Sequence, residues 1–563
     1  MKLDASYKQE FDSLLQKSYP DWAKRNIDIP DRTVHSILDE SANKYGNNVA
    51  IDFLGNKITY RELLEEVFSA QSFLSELGVK KGDRVSLMLP NIPQFIIFFF
   101  ALLRSGATIV QTNPIYSKHE LEYQLTDAGA DLVIVLDDFA DKVQMLHPKI
   151  VKKIVIVRVE DYLPGVLGAL YSLSRRIKKT KPILPRGTHI FMYSGKSKAV
   201  ELPETKVAPE DQVALLQYTG GTTGIPKGAM LTHHNLISNL HQIQEWIPEE
   251  FREEIKFLAS IPYFHVYGMM SAMLLPLLQG STIILVPDPR DITMTVKSIH
   301  KHAPTSFPGV PAMYHAVVNY PNVQKYKINS IKLCLSGASS LPDELQKKFE
   351  TQFGTRLSEG YGLSETSPVA NINPIGVTDP VKGRLRIGSV GLAVPNTYER
   401  IVDSETGTRD LPVGEIGELV INGPQVMKGY WNNQQETDKA LRDGWLHTGD
   451  LARMDEDGYV YIVDRKKDLI IAGGYNIYPR EVEEVLYKHP AVLDAAVVGV
   501  KDEYRGESVK AFLVVKKGDN VKPEEIMEFC RAYLAPYKIP RFVEFRDELP
   551  KTMVGKVLRR ELH

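Results

Sequence analysis

Cysteine is almost missing from the 563 residues, which hold only Cys334 and Cys530. Two thiols make at most one disulfide, so a secreted-type disulfide framework and a zinc site built on cysteine are excluded, and a reducing compartment is expected. An excess of one charge is missing as well: 68 Lys and Arg face 70 Asp and Glu, a net charge of -2. That balance lacks the footprint of a dedicated nucleic-acid binder, although local basic patches remain open. Long apolar runs are also lacking. Phe95 to Leu103 is stopped by Arg104 and Val266 to Leu278 is broken by Pro276, both short of the roughly 20 residues a spanning helix needs. Both stretches are expected to be buried core of a large α/β domain. The start, MKLDASYKQEFDSLLQK, is charged and amphipathic, without an apolar core or a small-residue cleavage site, so a cytoplasmic location is expected. Low complexity is missing too: 39 glycines and 34 prolines, with 43% hydrophobic and 25% charged residues, make an ordinary globular chain long enough for several domains.

From Ile58 to Val135 helical and strand patterns alternate. ITYRELLEEVFSAQSFLSELG reads as an amphipathic helix, RVSLML as a strand, QFIIFFFALLRSG as a buried helix closed by Gly106, and ATIVQ as a strand; HELEYQLTDAG and ADLVIVLD repeat helix then strand. Short apolar strands alternating with helices predict a mostly parallel α/β sheet covered on both faces. Around Val390 to Tyr461 the texture becomes short strands between Gly, Asp and Asn turns, a small β-rich subdomain at about 390–464. A compact α+β set follows. The predicted division is therefore a large N-terminal domain, 1–464, and a small C-terminal domain, 465–563, of the size of an independent unit.

The most informative segment is Tyr218-Thr-Gly-Gly-Thr-Thr-Gly-Ile-Pro-Lys-Gly228, between the apolar run VALLQ and a predicted helix beginning in AMLTHHNLISNLHQIQ. Glycines let the backbone wrap an anion, amides and threonine hydroxyls donate, and Lys227 supplies a cation, so this is a polyphosphate cradle. A Walker A loop would need glycine before the lysine, where Pro226 stands.

At these residues the sequence resembles the adenylate-forming superfamily of acyl-CoA synthetases, luciferases and peptide-synthetase adenylation domains, and within it the long-chain fatty acid CoA ligase branch. The resemblance runs from about Ile58 to Leu562 through several motifs in the family's order. It implies that Thr219, Gly220, Gly221, Thr222, Thr223, Gly224 and Lys227 hold the phosphates of ATP. Tyr361-Gly-Leu-Ser-Glu-Thr366, preceded by Gly360, matches a segment whose tyrosine packs on adenine, whose threonine meets the α-phosphate and whose Glu365 holds Mg²⁺; Gly362 lies in it. Gly337, Ala338 and Ser339 match the adenine-side loop. Asp450 and Arg465 match the ribose contacts. Lys556, in Pro550-Lys-Thr-Met-Val-Gly-Lys556, matches the catalytic lysine, with Val554 departing mildly from the usual small residue.

The resemblance further implies ATP- and Mg²⁺-dependent formation of acyl-AMP with release of pyrophosphate, then transfer to CoA with release of AMP. A carboxylic acid is already ionised near neutral pH, so it needs charge cancellation and positioning rather than a general base. Rotation of the small domain about Lys467 would exchange Lys556 for the Gly473-Gly474 side, where the thiol enters. The acyl pocket is expected around His265, Val266, Met269, Gly309 and Val310. Its first segment has no acid between Ile255 and Gly280, which disfavours an amino-acid substrate. Met269 stands where some long-chain enzymes carry a gating tryptophan, and MMSAMLLPLL fits either a hydrocarbon tunnel or a plain buried helix. His265 fits either a guide for the acid or thiol or a structural role.

Expected partners are fatty acid, ATP and CoA, and no nucleic acid; peripheral membrane contact and a homodimer stay open. YLPGVLGALYSLSRRIKKTK, 162–181, runs from an apolar half into Arg175, Arg176, Lys178, Lys179 and Lys181, suited to an anionic cytoplasmic membrane face or to packing as a loop on the protein. Competing readings are a CoA ligase for a medium-chain or aromatic acid and a membrane-associated fatty-acid uptake or binding protein.

Overall fold

The computed structural model describes residues 4–177, 190–192, 201–220, 225–252, 255–375, 383–502, 504–516, 518–519, 521–552 and 555–562. Gly221, Thr222, Thr223 and Gly224 of the phosphate loop, Val554, and Lys178, Lys179 and Lys181 of the basic run lie outside them.

Local sequence explains the principal helices. Tyr60–Glu76 starts at a reciprocal cap: the Glu62 amide donates to the Thr59 hydroxyl at 3.3 Å, and the Thr59 amide donates to the Glu62 carboxylate at 2.8 Å, satisfying two otherwise orphaned N–H groups. Pro93–Arg104 has proline in its first turn and is buried along every residue. Apolar side chains on all faces make it a core helix, and the buried Arg104 at its end pairs with Asp39 at 2.6 Å. The second greasy stretch is bent rather than uniform: Val266–Met269 is α-helical, Met270–Leu274 is π-helical, and Leu275–Gln279 ends at Gly280. No helix among the described residues is long and apolar enough to cross a membrane.

Among the described residues the strands form sheets of nine, eight, five and five members. The eight-stranded sheet runs parallel through Thr108–Gln111, Arg84–Met88, Leu132–Leu136 and Lys153–Val157, and Val213–Gly220 joins it parallel to Thr108–Gln111. In the nine-stranded sheet Val49–Phe53, Thr282–Leu285, Lys256–Ala259, Ser306–Gly309, Leu333–Ser336 and Leu357–Gly362 are parallel. Their carboxyl ends release 260–265, Val310, 337–339 and Tyr361 in one direction, the end where α/β sheets bind ligands. Both sheets are buried on two faces, as the apolar strands predict.

Two expectations need correction. The predicted β-rich unit from about 390 is narrower than its texture. Leu392–Ala393 completes the nine-stranded sheet, and Gly429–Tyr430 leaves to pair with Pro226–Thr232 in the eight-stranded one. The antiparallel five-stranded unit keeps Tyr398–Val402, Gly417–Asn422, Leu441–Arg442, Trp445–Met454 and Val460–Arg465. Short strands carry no mark of the sheet they join, so hydrogen-bond partners decide. The phosphate loop also does not lead directly into a helix. Pro226–Thr232 is a strand antiparallel to Val213–Gly220, with Thr219 opposite Lys227, and only then does His233–Trp246 begin. Ala229 and Leu231 are buried by pairing back, so the helix His233–Trp246 starts only after the strand that carries Lys227.

After Arg465 a short turn, Lys466–Asp468, leads into the last sheet, which has its own apolar cluster around Ile470, Val482, Leu486, Val497, Leu513 and Ile526. Both cysteines are buried and free, and burial pushes the Cys530 thiol up to about 11.

Candidate active site

The hairpin of Val213–Gly220 and Pro226–Thr232 sets Thr219 and Gly220 on one strand and Lys227 on the other. Lys227 is 11% exposed and forms an ion pair with Glu436; its Nζ lies 5.1 Å from the centre of the Tyr430 ring. The paired lysine and a second one, Lys439, hold the Glu436 carboxyl below its ordinary range. Glu365 sits on the turn Ser364–Thr366 and accepts from the Tyr430 hydroxyl at 2.8 Å. Thr366 is fully buried and its hydroxyl is spent inside the turn, donating to Leu363 and Pro368 carbonyls. The α-phosphate contact that the resemblance implies for Thr366 would have to compete with these two carbonyls, and Ser364 on the same turn is half-buried.

Asp450 and Arg465, the expected ribose contacts, are opposite one another across adjacent strands. Asp450 accepts from the Tyr361 hydroxyl at 2.6 Å and lies 3.4 Å from Arg465 Nε. Asp450 is 5% exposed, so these two donors compensate a carboxylate largely removed from water. Gly360, Tyr361 and Gly362 finish their strand beside the 337–339 loop. A Cβ on Gly337 would lie 3.1 Å from the Tyr267 ring, and Tyr267 donates to the Leu335 carbonyl at 2.7 Å, tying the loop to the acyl segment. Ala338 is exposed with a φ of 66° and Ser339 half-buried.

The C-terminal unit closes this end. Gly555 has a φ of +73°, and a Cβ there would come within 2.9 Å of Ala312 Cβ and 3.7 Å of Val310, so Lys556 is delivered against the start of the Pro311–Val318 helix. Burial pushes the Lys556 ammonium down to about 8; Arg465 and Lys467 act in the same direction, while Asp450 and Asp468 oppose them. Across the same contact, burial raises Glu359 and Glu484 to about 7, with Arg480 drawing both back.

His265 caps the Val266–Met269 turn, its Nδ1 accepting the Tyr267 amide at 3.3 Å. Burial and the neighbouring Lys556 charge lower it to about 4, so the ring is neutral near pH 7 and its proton sits on Nε2. Val266, Met269 and Val310 are buried, and Gly309 ends its strand beside them. The Met269 sulfur accepts from Gln111 Nε2 at 3.0 Å. Lys467 is exposed in the Lys466–Asp468 turn. Gly473 and Gly474, with φ of 61° and 82°, form a hairpin tip open on the side a Cβ would occupy.

Sequence reasoning did not find Tyr430 or Glu436, and it gave no separate role to Ser364 or Tyr267, which lie inside the quoted adenine and acyl-pocket segments. The first two lie in a stretch that reads as β-rich, and their link to Lys227 and Glu365 spans 209 and 65 residues. Nothing in the local pattern announces such a pairing.

Residues 38–431 match the AMP-binding enzyme family and 481–556 its C-terminal domain. The chain is 47% identical to a long-chain-fatty-acid–CoA ligase of Bacillus subtilis, covering 97% of this chain and 96% of that one. It is 38% identical to a ligase of the same name from Escherichia coli O6:H1, over 95% of each. Among solved structures, the anthranilate CoA ligase AuaEII in complex with anthranoyl-AMP superposes with a TM-score of 0.82 at 26% identity, covering 94% of this chain and 96% of that one. ATP-bound MatB from Rhodopseudomonas palustris does so at 0.79 and 29%, over 94% and 98%. Matched along nearly its whole length in both sequence and fold, the chain belongs to the AMP-binding, adenylate-forming enzymes.

Proposed function

We propose that this protein is a long-chain-fatty-acid–CoA ligase that uses MgATP and passes through acyl-AMP. The observation that carries the reading is the meeting of Lys556, from the C-terminal unit, with the Asp450–Arg465 pair and His265, at the end of the sheet that also presents Tyr361. The full-length likeness to two ligases of that name supports the substrate class.

In the first half-reaction a carboxylate oxygen of the fatty acid attacks the α-phosphorus in line, and pyrophosphate leaves with the electron pair of the P–O bond. Lys227 and Thr219 hold the β- and γ-phosphates, Ser364 replaces Thr366 as the hydroxyl beside the α-phosphate, and Lys556 bridges the acid and α-phosphate oxygens. Tyr361 and the Gly337–Ser339 loop receive the adenine, and Asp450 with Arg465 the ribose. Neutral His265 offers Nε2–H to the acid. The site suits Mg²⁺ that arrives with ATP: Glu365 supplies one hard oxygen, and among the described residues no group of three or more His, Cys, Asp or Glu forms a cage. When bound there, Mg²⁺ would be held by Glu365 beside the phosphates and would supply neutralisation of their charge.

In the second half-reaction the CoA thiol loses its proton to solvent, its sulfur attacks the acyl carbon, and AMP leaves with the electron pair of the acyl C–O bond. Lys556 and an incoming thiol need the same carbonyl, so the domain 465–563 turns about Lys467 and brings the Gly473-Gly474 tip to the site. Purified protein given ATP, Mg²⁺, CoA and saturated acids of graded length, with products identified by mass, tests the assignment. Thioesters confined to short or aromatic acids would reject the long-chain reading, and absence of AMP release would reject the ligase reading.

The acid reaches the enzyme from a membrane. The helix Gly165–Ile177 exposes Val166 at 76%, Leu170 at 57%, Leu173 at 53% and Leu167 at 47%, an apolar face continued in sequence by Arg175, Arg176, Lys178, Lys179 and Lys181. Apolar burial and attraction to anionic lipid act together on such a segment. Vesicle sedimentation checks this: glutamine at the five basic positions should abolish preference for anionic lipid, and unchanged binding removes this patch as the anchor.

A further inference from the structure

The segment 427–440 reaches both charged groups of the phosphate site from outside the phosphate loop. Its backbone is laced to the strand that carries Lys227: Lys428 donates to the Met230 carbonyl at 3.0 Å and Trp431 to the Gly228 carbonyl at 2.8 Å. Met427 donates to the backbone carbonyl of Glu365 at 2.8 Å. Between these anchors the Tyr430 amide donates to the Thr437 hydroxyl at 2.8 Å, and Thr437 in turn donates to Asn433 at 2.9 Å. The phenol is thus aimed by backbone contacts on both sides. It spends its one proton on Glu365 Oε1 at 2.8 Å while its ring lies beneath the Lys227 ammonium.

We propose that Tyr430 is a positioning residue for the metal of MgATP: its hydroxyl holds one oxygen of the Glu365 carboxylate and leaves the other as the metal's ligand, while its ring keeps Lys227 beside it. A carboxylate tethered at one oxygen loses the rotation it would otherwise sacrifice on binding metal. Outer partners of ligating carboxylates act in this way, and their removal costs roughly 10- to 100-fold in metal affinity or activity. This inference rests on the reading of Glu365 as the metal's contact.

The test uses the full chain with Tyr430→Phe, which deletes the hydroxyl and keeps the ring, alone and combined with Glu365→Gln. Binding of Mn²⁺ with α,β-methylene-ATP, followed by electron paramagnetic resonance without turnover, is measured beside the Mg²⁺ dependence of fatty-acid-dependent pyrophosphate exchange. Tyr430→Phe should raise the metal requirement about tenfold in both, leave metal-free nucleotide binding unchanged, and melt like the parent. Added to Glu365→Gln it should shift the metal requirement no further. If Glu365→Gln leaves the metal dependence unmoved, the ligand reading of Glu365 falls. If Glu365→Gln moves it and Tyr430→Phe does not, or if the two effects add, the positioning role falls and the ligand reading stands. A lowered melting temperature with unchanged Mn²⁺ binding also overturns the proposal, because it makes Tyr430 a packing residue only.

Discussion

Lys556 offers the sharpest test, because its environment predicts a pH profile as well as a loss of rate. Burial and the charges of Arg465 and Lys467 bring the ammonium down to about 8 from an ordinary value of 10.5. In the proposed adenylation step the acting form is the cation, so activity should be present below that value and lost above it. About nine-tenths of the enzyme is competent at pH 7 and about one-tenth at pH 9. Fatty-acid-dependent pyrophosphate exchange, which needs no CoA, should therefore show kcat/KM for ATP falling about tenfold per pH unit above pH 8. Lys556→Arg keeps its charge throughout that range, so its activity is reduced but its alkaline limb should vanish. Lys556→Ala removes a charge that acts mainly in the transition state, at a cost of roughly 10²- to 10³-fold. Thioester formation from supplied acyl-AMP should survive in that variant. An alkaline limb that persists in Lys556→Arg, or equal loss of both half-reactions in Lys556→Ala, would falsify the assignment.

Gly555→Ala tests the closed arrangement itself. The new methyl meets Ala312 at 2.9 Å in a left-handed backbone, so adenylation should fall at least tenfold while the thioester step from acyl-AMP is spared; equal activity in both steps argues against this contact. Lys467→Pro fixes φ and removes an amide donor at the turn. Exchange should persist while conversion of isolated acyl-AMP to acyl-CoA drops by orders of magnitude, and full thioester activity in a variant that melts like the parent would sink rotation about this residue. Phe98→Ala, in the helix buried on all sides, should cost about 3–5 kcal/mol by denaturant unfolding, and a loss below 1 kcal/mol would mean that the core collapses around the vacancy.

The sequence by itself determined the principal elements and, through contiguous motifs, the family. The Thr59–Glu62 cap, the fully apolar helix from Pro93 and the short β-branched strands state their structure locally, because a reciprocal hydrogen bond, a helix without a polar face and a strand without alternation each have one economical solution. The order of phosphate-loop glycines, Glu365, Asp450, Arg465 and Lys556 carried the family resemblance for the same reason, since each motif is a few adjacent residues. Sheet membership was decided only in three dimensions. Leu392–Ala393 and Gly429–Tyr430 are two-residue strands, too short to hold a pattern, and their backbone groups pair wherever an edge is open. Tertiary structure also decided which hydroxyl and which cation are available. It engages the Thr366 hydroxyl inside its own turn, sets the half-buried Lys556 within the influence of two other cations, and brings Tyr430 and Glu436 to groups 65 and 209 residues away. Hydrogen bonds and charge interactions depend on distance in space and on exclusion of water, and neither quantity is written in the order of the residues.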